Sequence, residues 1–483
     1  MTSTNGGMKM TSNNGQGLKE LTLTVTESCN QRCKYCYVPL NRGRQMDFDV
    51  ARAAVDLFFE HARSEGTLTI AFFGGEPFLA VDLMRRVAEY ALSVASDPGR
   101  IQFAVTTNGT AIDDAGWAFI DEFDMRVAVS YDGDRGQAFR PLAQGGSSRH
   151  RFNRNLPKLL TASAGKQDGR SLARMTVTPD NVAHLADNVR STFRAGFERI
   201  LFLPDIEVDW DPAALRQWRR QQERLLTWFV GRQGAGRPIP DLMAWTGVLS
   251  RLSGARRGHC GAGVSQVAAS PDGTFYACYR AVYDPHDEDI QLGNVTEGFT
   301  HPERWARYAE LDPNRVRPET GDCATCSARD GCGFFCPAQG HLATGDLASV
   351  PAVVCELTRI QVDVCRRLVR SAKPTKRRSR FAVAAAAAAA VLGTSLAVGA
   401  GCDRGVGTGG NQDAGPDGSA AGLCPVFVDG GHDGTVDGEV DSGYLPGLCA
   451  IYPDADVDSG YSPGLCPQPM DGGEPDGPPP GLC

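Results

Sequence analysis

The stretch Glu27-Ser-Cys-Asn-Gln-Arg-Cys-Lys-Tyr-Cys-Tyr37 places Cys29, Cys33 and Cys36 in a C-x3-C-x2-C arrangement. An iron–sulfur cluster is normally held by four cysteine thiolates, so three thiolates on one short loop leave one iron open to an outside ligand. Zinc sites favour paired C-x2–4-C units with matching partners, and no fourth ligand lies close to this triplet in the sequence. The run Leu21-Thr-Leu-Thr-Val-Thr26 just before it reads as a strand that delivers the loop.

Further strand-like runs follow at Thr67–Phe73, Ile101–Thr106, Arg126–Ser130, Leu172–Val177 and Arg199–Leu203. Helical patterns separate them at Asp49–Arg63, Val81–Ala95, Ala183–Ala195 and Leu215–Val230. Strands alternating with helices predict an α/β fold of parallel βαβ units, whose functional residues sit on loops at the C-terminal strand ends. Gly74-Gly-Glu-Pro77, Thr107-Asn-Gly109 and Ser130-Tyr-Asp-Gly133 all fall at such ends.

With Tyr35 just before the third cysteine, the loop resembles that of the radical S-adenosylmethionine (SAM) enzymes. The resemblance implies a partial (β/α)6, TIM-like barrel and a [4Fe–4S] cluster whose open iron chelates SAM and cleaves it to a 5′-deoxyadenosyl radical. It also implies a SAM site drawn from Tyr35, Gly74, Gly75, Glu76, Pro77, Asn108, Ser130 and Arg140. The GGEP-like turn would take the methionyl amino group, Asn108 and Ser130 the ribose and carboxylate, and Arg140 the carboxylate. Other readings stay open: Glu76 as a turn acceptor, Asn-Gly and Asp-Gly as ordinary turns, and Arg140 as a solvated surface residue.

A second cysteine set follows. Cys260 is separated by twelve residues from Gly273, and four more precede Cys278; then come Cys323-x2-Cys326-x5-Cys332-x3-Cys336 and, after a gap, Cys355. Ser270–Cys278 reads as a hairpin with an Asp-Gly turn. The spacing resembles the seven-cysteine SPASM extension, which implies two auxiliary iron–sulfur clusters. Cys323, Cys326, Cys332 and Cys355 would hold one, and Cys260, Cys278 and Cys336 the other. Some relatives supply a fourth thiol six residues after the first cysteine, where this chain has Gln266. That site is open to a substrate thiolate, closed by another group, or built for a smaller cluster. His259 and Cys365 are alternative ligands, set against a surface histidine and a core thiol on a helix over Glu356–Val369.

SPASM proteins are mostly peptide or protein modifiers, which implies a peptide or protein substrate and a reductant such as flavodoxin or ferredoxin. The sulfatase maturases, which oxidise a Cys or Ser to formylglycine, carry an Asp proposed as base directly after the hairpin cysteine. Here Tyr279 follows Cys278, and a phenol with an ordinary pKa near 10 is a poor base at neutral pH.

Past Lys373 the composition changes. Lys376-Arg-Arg-Ser-Arg380 precedes an Ala/Val/Leu run from Phe381 to Gly401, close to the minimum length for a bilayer span. It reads either as a membrane segment, ending in a loose lipoprotein-like site at Val398–Cys402, or as a helical leader. Residues 403–483 hold 14 acidic residues and one basic residue, Arg404, and are too poor in aliphatics to build a core. Gly-Leu-Cys closes each unit of a repeat there, at Cys424, Cys449, Cys466 and Cys483. A recurring thiol in a low-complexity chain reads as an array of modification sites; the competing reading is an envelope spacer with disulfides or weak cation binding.

These readings divide the chain into an N-terminal tail (1–17), a radical SAM core (18–235), an auxiliary-cluster domain (236–372), the basic and Ala-rich stretch (373–402) and the acidic repeat tail (403–483). No basic stripe interleaved with aromatics suggests nucleic acid. The polar start, Met1–Gly17, has no apolar core of a signal peptide, so the catalytic part is expected in the cytoplasm, with membrane association confined to 381–401. The leading expectation is a maturase that forms thioethers on its own repeats. The alternatives are a modifier acting in trans, such as a sulfatase maturase, and a membrane-anchored envelope protein.

Overall fold

The computed structural model describes residues 17–39, 43–254, 261–284, 290–311, 323–333 and 336–371. Cys260, His259, the segment 381–401 and the four repeat cysteines lie outside the described residues.

Among the described residues ten strands form one sheet: β1 Glu20–Thr26, β2 Leu68–Gly74, β3 Ile101–Thr107, β4 Arg126–Ser130, β5 Leu172–Val177, β6 Arg199–Pro204, β7 Asp241–Leu242, β8 Gln266–Ala269, β9 Thr274–Tyr276 and β10 Gln291–Asn294. Their order is β10-β9-β8-β1-β2-β3-β4-β5-β6-β7. Every pair from β8 through β1 to β7 is parallel, whereas β8–β9 and β9–β10 are antiparallel. The six strands expected from the sequence are β1 to β6, and the helices between them make the parallel α/β barrel architecture. The sheet does not stop there. Strand β8 pairs with β1 from Glu20↔Gln266 to Leu23↔Ala269, so the Asp-Gly hairpin extends the barrel sheet itself. Its turn needs Gly273, whose φ of +89° is left-handed.

Strand β1 shows why the barrel forms. Leu21, Leu23 and Val25 alternate with Thr22, Thr24 and Thr26, and all six are buried. One face feeds the apolar layer under the helices, and the other gives the barrel interior small polar groups. The flanking helices start on side-chain caps: Asp47 accepts from the Asp49 amide, Asp113 from Gly116 and Asp211 from Ala214. Each cap is worth about 1 kcal/mol.

Two apolar cores result. One gathers around β1–β4 with Phe58, Met84, Val87 and Phe119. The other joins β5 and β6 to Trp218, Phe229 and Trp245, and to the last helix, Ala352–Ser371. Trp218 Nε1 donates to the Leu357 carbonyl (3.3 Å), and Gln361 Nε2 donates to that of Ala244 (2.8 Å). These bonds set Cys355, on the same helix, in a defined position against the barrel.

Candidate functional site

The cysteine loop leaves β1 at Thr26 and is pinned at its base. Glu27, fully buried, accepts from the Arg44 guanidinium (2.7 Å), and Arg44 also reaches Asp272 in the hairpin turn (2.6 Å). Gly74 and Gly75 close against the same loop: the amides of Gly75 and Glu76 donate to the carbonyls of Thr26 (2.7 Å) and Ser28 (2.9 Å). A Cβ on Gly74 would overlap the Thr26 carbonyl oxygen, and one on Gly75 those of Ser28 and Glu27. The Gly-Gly pair is thus required by backbone packing against the cysteine loop.

All three loop cysteines line one cavity of about 350 Å³ at the C-terminal ends of the strands. Gly74, Gly75, Asn108, Ser130, Arg140, Tyr35 and Cys336 line it too. Asn108 Nδ2 donates to Asn30 Oδ1 (2.8 Å) and points at Cys29 Sγ (3.7 Å). Arg140 Nη1 lies 4.0 Å from Cys33 Sγ. Burial pushes the Cys29 thiol up to about 12, the Cys33 thiol up to about 11, and the Cys36 thiol up as well. Buried thiols of this kind become thiolates when a metal coordinates them.

Glu76 and Pro77 lie behind the cavity wall. Glu76 is fully buried; its carboxylate accepts from Thr107 Oγ1 (2.7 Å), the Asn108 amide (2.8 Å) and the Phe78 amide (3.3 Å). Burial raises its pKa to about 7, against the pull of these donors. It ties the loop after β3 to the loop after β2.

Arg140 is buried in a bidentate pair with Asp132, Nε to Oδ2 and Nη2 to Oδ1, both 2.9 Å. Burial works against its charge, but the Asp132 carboxylate overrides that and holds the guanidinium well above its usual range. Its guanidinium also stacks over Tyr35, whose hydroxyl donates to Asp132 Oδ2. Asp132 further accepts from the Thr176 amide (3.0 Å). Sequence reasoning placed Ser130-Tyr-Asp-Gly133 at a functional strand end, with an ordinary Asp-Gly turn as the alternative, and passed over Asp132; a carboxylate two residues past a strand end was the available signal. It also passed over Arg174, Asp205, Glu207 and Arg280, which line the cavity. Arg280 pairs with Glu207 and stacks on Tyr37. Tyr279 packs its ring on Phe73, with centroids 4.5 Å apart.

The downstream thiols fall in two neighbourhoods. Cys323, Cys326 and Cys332 all lie close enough to Cys355 to oppose its ionisation, while burial is the larger effect raising its pKa. Cys278 and Cys336 both flank the buried Tyr308. Gln266 lies in β8 opposite Glu20. Cys365 is fully buried in the second core, and burial alone pushes its thiol up.

A parallel barrel carries the C-x3-C-x2-C loop from its first strand into a cavity at the strands' C-terminal ends, the arrangement the resemblance to radical SAM enzymes implies. The family model described as the radical SAM superfamily matches residues 23–143; the chain carries a radical SAM domain and is an enzyme. The chain is 35% identical over 130 residues to an uncharacterized Methanocaldococcus jannaschii protein, covering 27% of this chain and 44% of that one, so it spans less than half of that relative. It is 27% identical over 337 residues to a GTP 3′,8-cyclase of Xanthomonas axonopodis (63% and 95% covered). It is 26% identical over 339 residues to a serine-type anaerobic sulfatase-maturating enzyme of Klebsiella aerogenes (66% and 79%). The solved structure of native anSMEcpe with bound AdoMet shares the fold, with a TM-score of 0.59 at 18% identity, covering 73% of this chain and 98% of that one.

The residues present fit a cluster and SAM: three thiols face one cavity together with polar and cationic groups. Among the described residues no three Cys, His, Asp or Glu side chains converge on a single ion, whereas a cluster takes its thiolates on separate irons. Among those residues no helix is long and apolar enough to cross a membrane.

Proposed function

We propose that this enzyme is a peptide maturase that forms thioether crosslinks on the Gly-Leu-Cys repeats of residues 403–483. The observation that carries the reading is that the cavity lined by Cys29, Cys33 and Cys36 is lined by Cys336 as well. Cys29, Cys33 and Cys36 would hold the [4Fe–4S] cluster, and Gly74, Gly75, Asn108, Ser130 and Arg140 would wall the SAM site. Cys323, Cys326, Cys332 and Cys355 would hold one auxiliary cluster, and Cys278 and Cys336, with Cys260, the other. When bound, the cluster and SAM supply the radical that removes hydrogen from a substrate carbon.

The protein's own part is to exclude water and to orient. Asn108 and Arg140 hold positions beside Cys29 and Cys33. The Arg140–Asp132–Tyr35 network stiffens the wall between the loop and β4. A peptide substrate agrees with the likeness in fold to the anSMEcpe complex with AdoMet and Cp18Cys peptide. Fusion of enzyme and repeat would make the encounter intramolecular, with effective concentrations up to the millimolar range.

Mass spectrometry of the proteolysed tail tests this, after anaerobic cluster reconstitution with SAM and a reductant. Loss of a hydrogen pair per Gly-Leu-Cys unit, with thiols that resist alkylation, is expected. An unchanged tail alongside abundant 5′-deoxyadenosine would sink the proposal. The second reading, sulfatase maturation in trans, is favoured by the long alignment with the Klebsiella enzyme and opposed by Tyr279 at the position of that family's Asp. Conversion of a sulfatase peptide to formylglycine would promote it.

A further inference from the structure

Among the described residues three arginines line the cavity, and two of them are matched by carboxylates: Arg140 by Asp132 and Arg280 by Glu207. Arg174, on β5, is different. Its Nη2 donates to the Tyr279 hydroxyl (3.1 Å) and its Nη1 to Thr106 Oγ1 (3.4 Å). Among the described residues no carboxylate pairs with it. Arg174 is half-buried and bonded to neutral partners, and its planar fork is shaped to take a carboxylate in two parallel hydrogen bonds.

The position is central. Phe73, Thr106, Arg174 and Tyr279 separate this cavity from a second one of about 510 Å³ at the N-terminal strand ends. A group bound to Arg174 would therefore rest on the floor of the site.

The repeats carry a matching regularity. The nearest acidic residue before each repeat cysteine is Asp417 for Cys424, Asp441 for Cys449, Asp458 for Cys466 and Asp476 for Cys483. The intervals are 7, 8, 8 and 7 residues, and each intervening stretch is free of charge. Eight residues span at most about 28 Å when extended, so one peptide segment can present an acid and a thiol to one cavity.

We infer that Arg174 is a specificity-determining residue that binds the carboxylate of an acidic side chain lying seven or eight residues before the reacting cysteine. This inference rests on the peptide-maturase reading and names its substrate class: acidic, cysteine-containing peptide. Charge-assisted hydrogen bonds are the strong ones, so their loss is expected to weaken binding about tenfold or more.

The test is a double-mutant cycle on the reconstituted full-length enzyme with SAM present and no reductant. Fluorescence anisotropy would follow a labelled synthetic peptide of residues 457–466, whose only acid is Asp458. The expected result is that D458N weakens binding about tenfold or more. R174Q should weaken the parent peptide equally, leave the D458N peptide unaffected and leave SAM binding intact, and R174K should recover part of the loss. Additive effects, or loss of SAM affinity in R174Q with peptide affinity unchanged, would overturn the assignment of Arg174 alone. Failure of the wild-type enzyme to bind either peptide would overturn the tail as substrate and this inference with it. The peptide-side substitution is read on the wild-type enzyme, so the test survives a poorly folded R174Q.

Discussion

Glu76 shows how one buried side chain couples the site to pH. Its folded pKa, about 7, lies above the ordinary glutamate value because burial disfavours the charge. A group with a raised folded pKa contributes stability that is full below its unfolded pKa and is lost as pH rises through the folded one. The chain is therefore expected to lose up to about 3 kcal/mol relative to E76Q between about pH 4.5 and pH 8. Urea unfolding of both proteins across that range would show it, and parallel curves would refute it. At Asp132 the effect is one of pairing. D132N leaves the buried Arg140 charge uncompensated, and a loss of about 3–5 kcal/mol is expected, read as a fall in the midpoint of thermal unfolding. A midpoint within a degree or so of the wild type would mean that Arg140 finds another partner. These side chains also divide what was legible from what was not. Cys29, Cys33 and Cys36 announce themselves by their close, regular spacing along the chain. Asp132 and Arg174 do not, because Tyr35 and Thr176, which bond the first, and Thr106 and Tyr279, which bond the second, come from distant segments.

Among the elements, the turn after β2 ties sequence most directly to geometry. Gly74 has a φ of +136°, and Gly75 lies where a side chain would strike the carbonyls of the cysteine loop. G75A is expected to displace that loop while leaving the barrel folded, because the clash is local. Iron content after reconstitution should fall severalfold, with far-ultraviolet circular dichroism unchanged; full iron loading would show that the loop yields without cost. The Gly-Gly pair was visible in the sequence, but its reason was not. The sequence suggested close approach to a ligand, and the structure supplies close approach to the chain's own loop. Strands β1 to β6 were readable because alternating and apolar runs mark them. Strand β7, only two residues long, carries no periodicity to read.

For the molecule as a whole, the helix Ala352–Ser371 carries two cysteines in different surroundings. Cys355 and Cys365 share that helix, yet Cys355 lies among Cys323, Cys326 and Cys332, whereas Cys365 sits in the apolar core. C365A is expected to cost about 1–2 kcal/mol in stability and to leave iron content unchanged. C355A should lower iron content with little effect on the barrel. If both variants lost iron alike, Cys365 would belong with the ligands.

The sequence by itself determined the class of enzyme, the order of its barrel strands and the spacing of its thiols, because these are local properties written along the chain. Only the tertiary structure decided that the hairpin at Gly273 joins the barrel sheet through β8 and β1, that Glu76 is withdrawn behind the cavity, and that among the described residues Arg140 is matched with a carboxylate while Arg174 is not. Those outcomes depend on which distant segments share a dry interior, where an unmatched charge or a misplaced Cβ costs most.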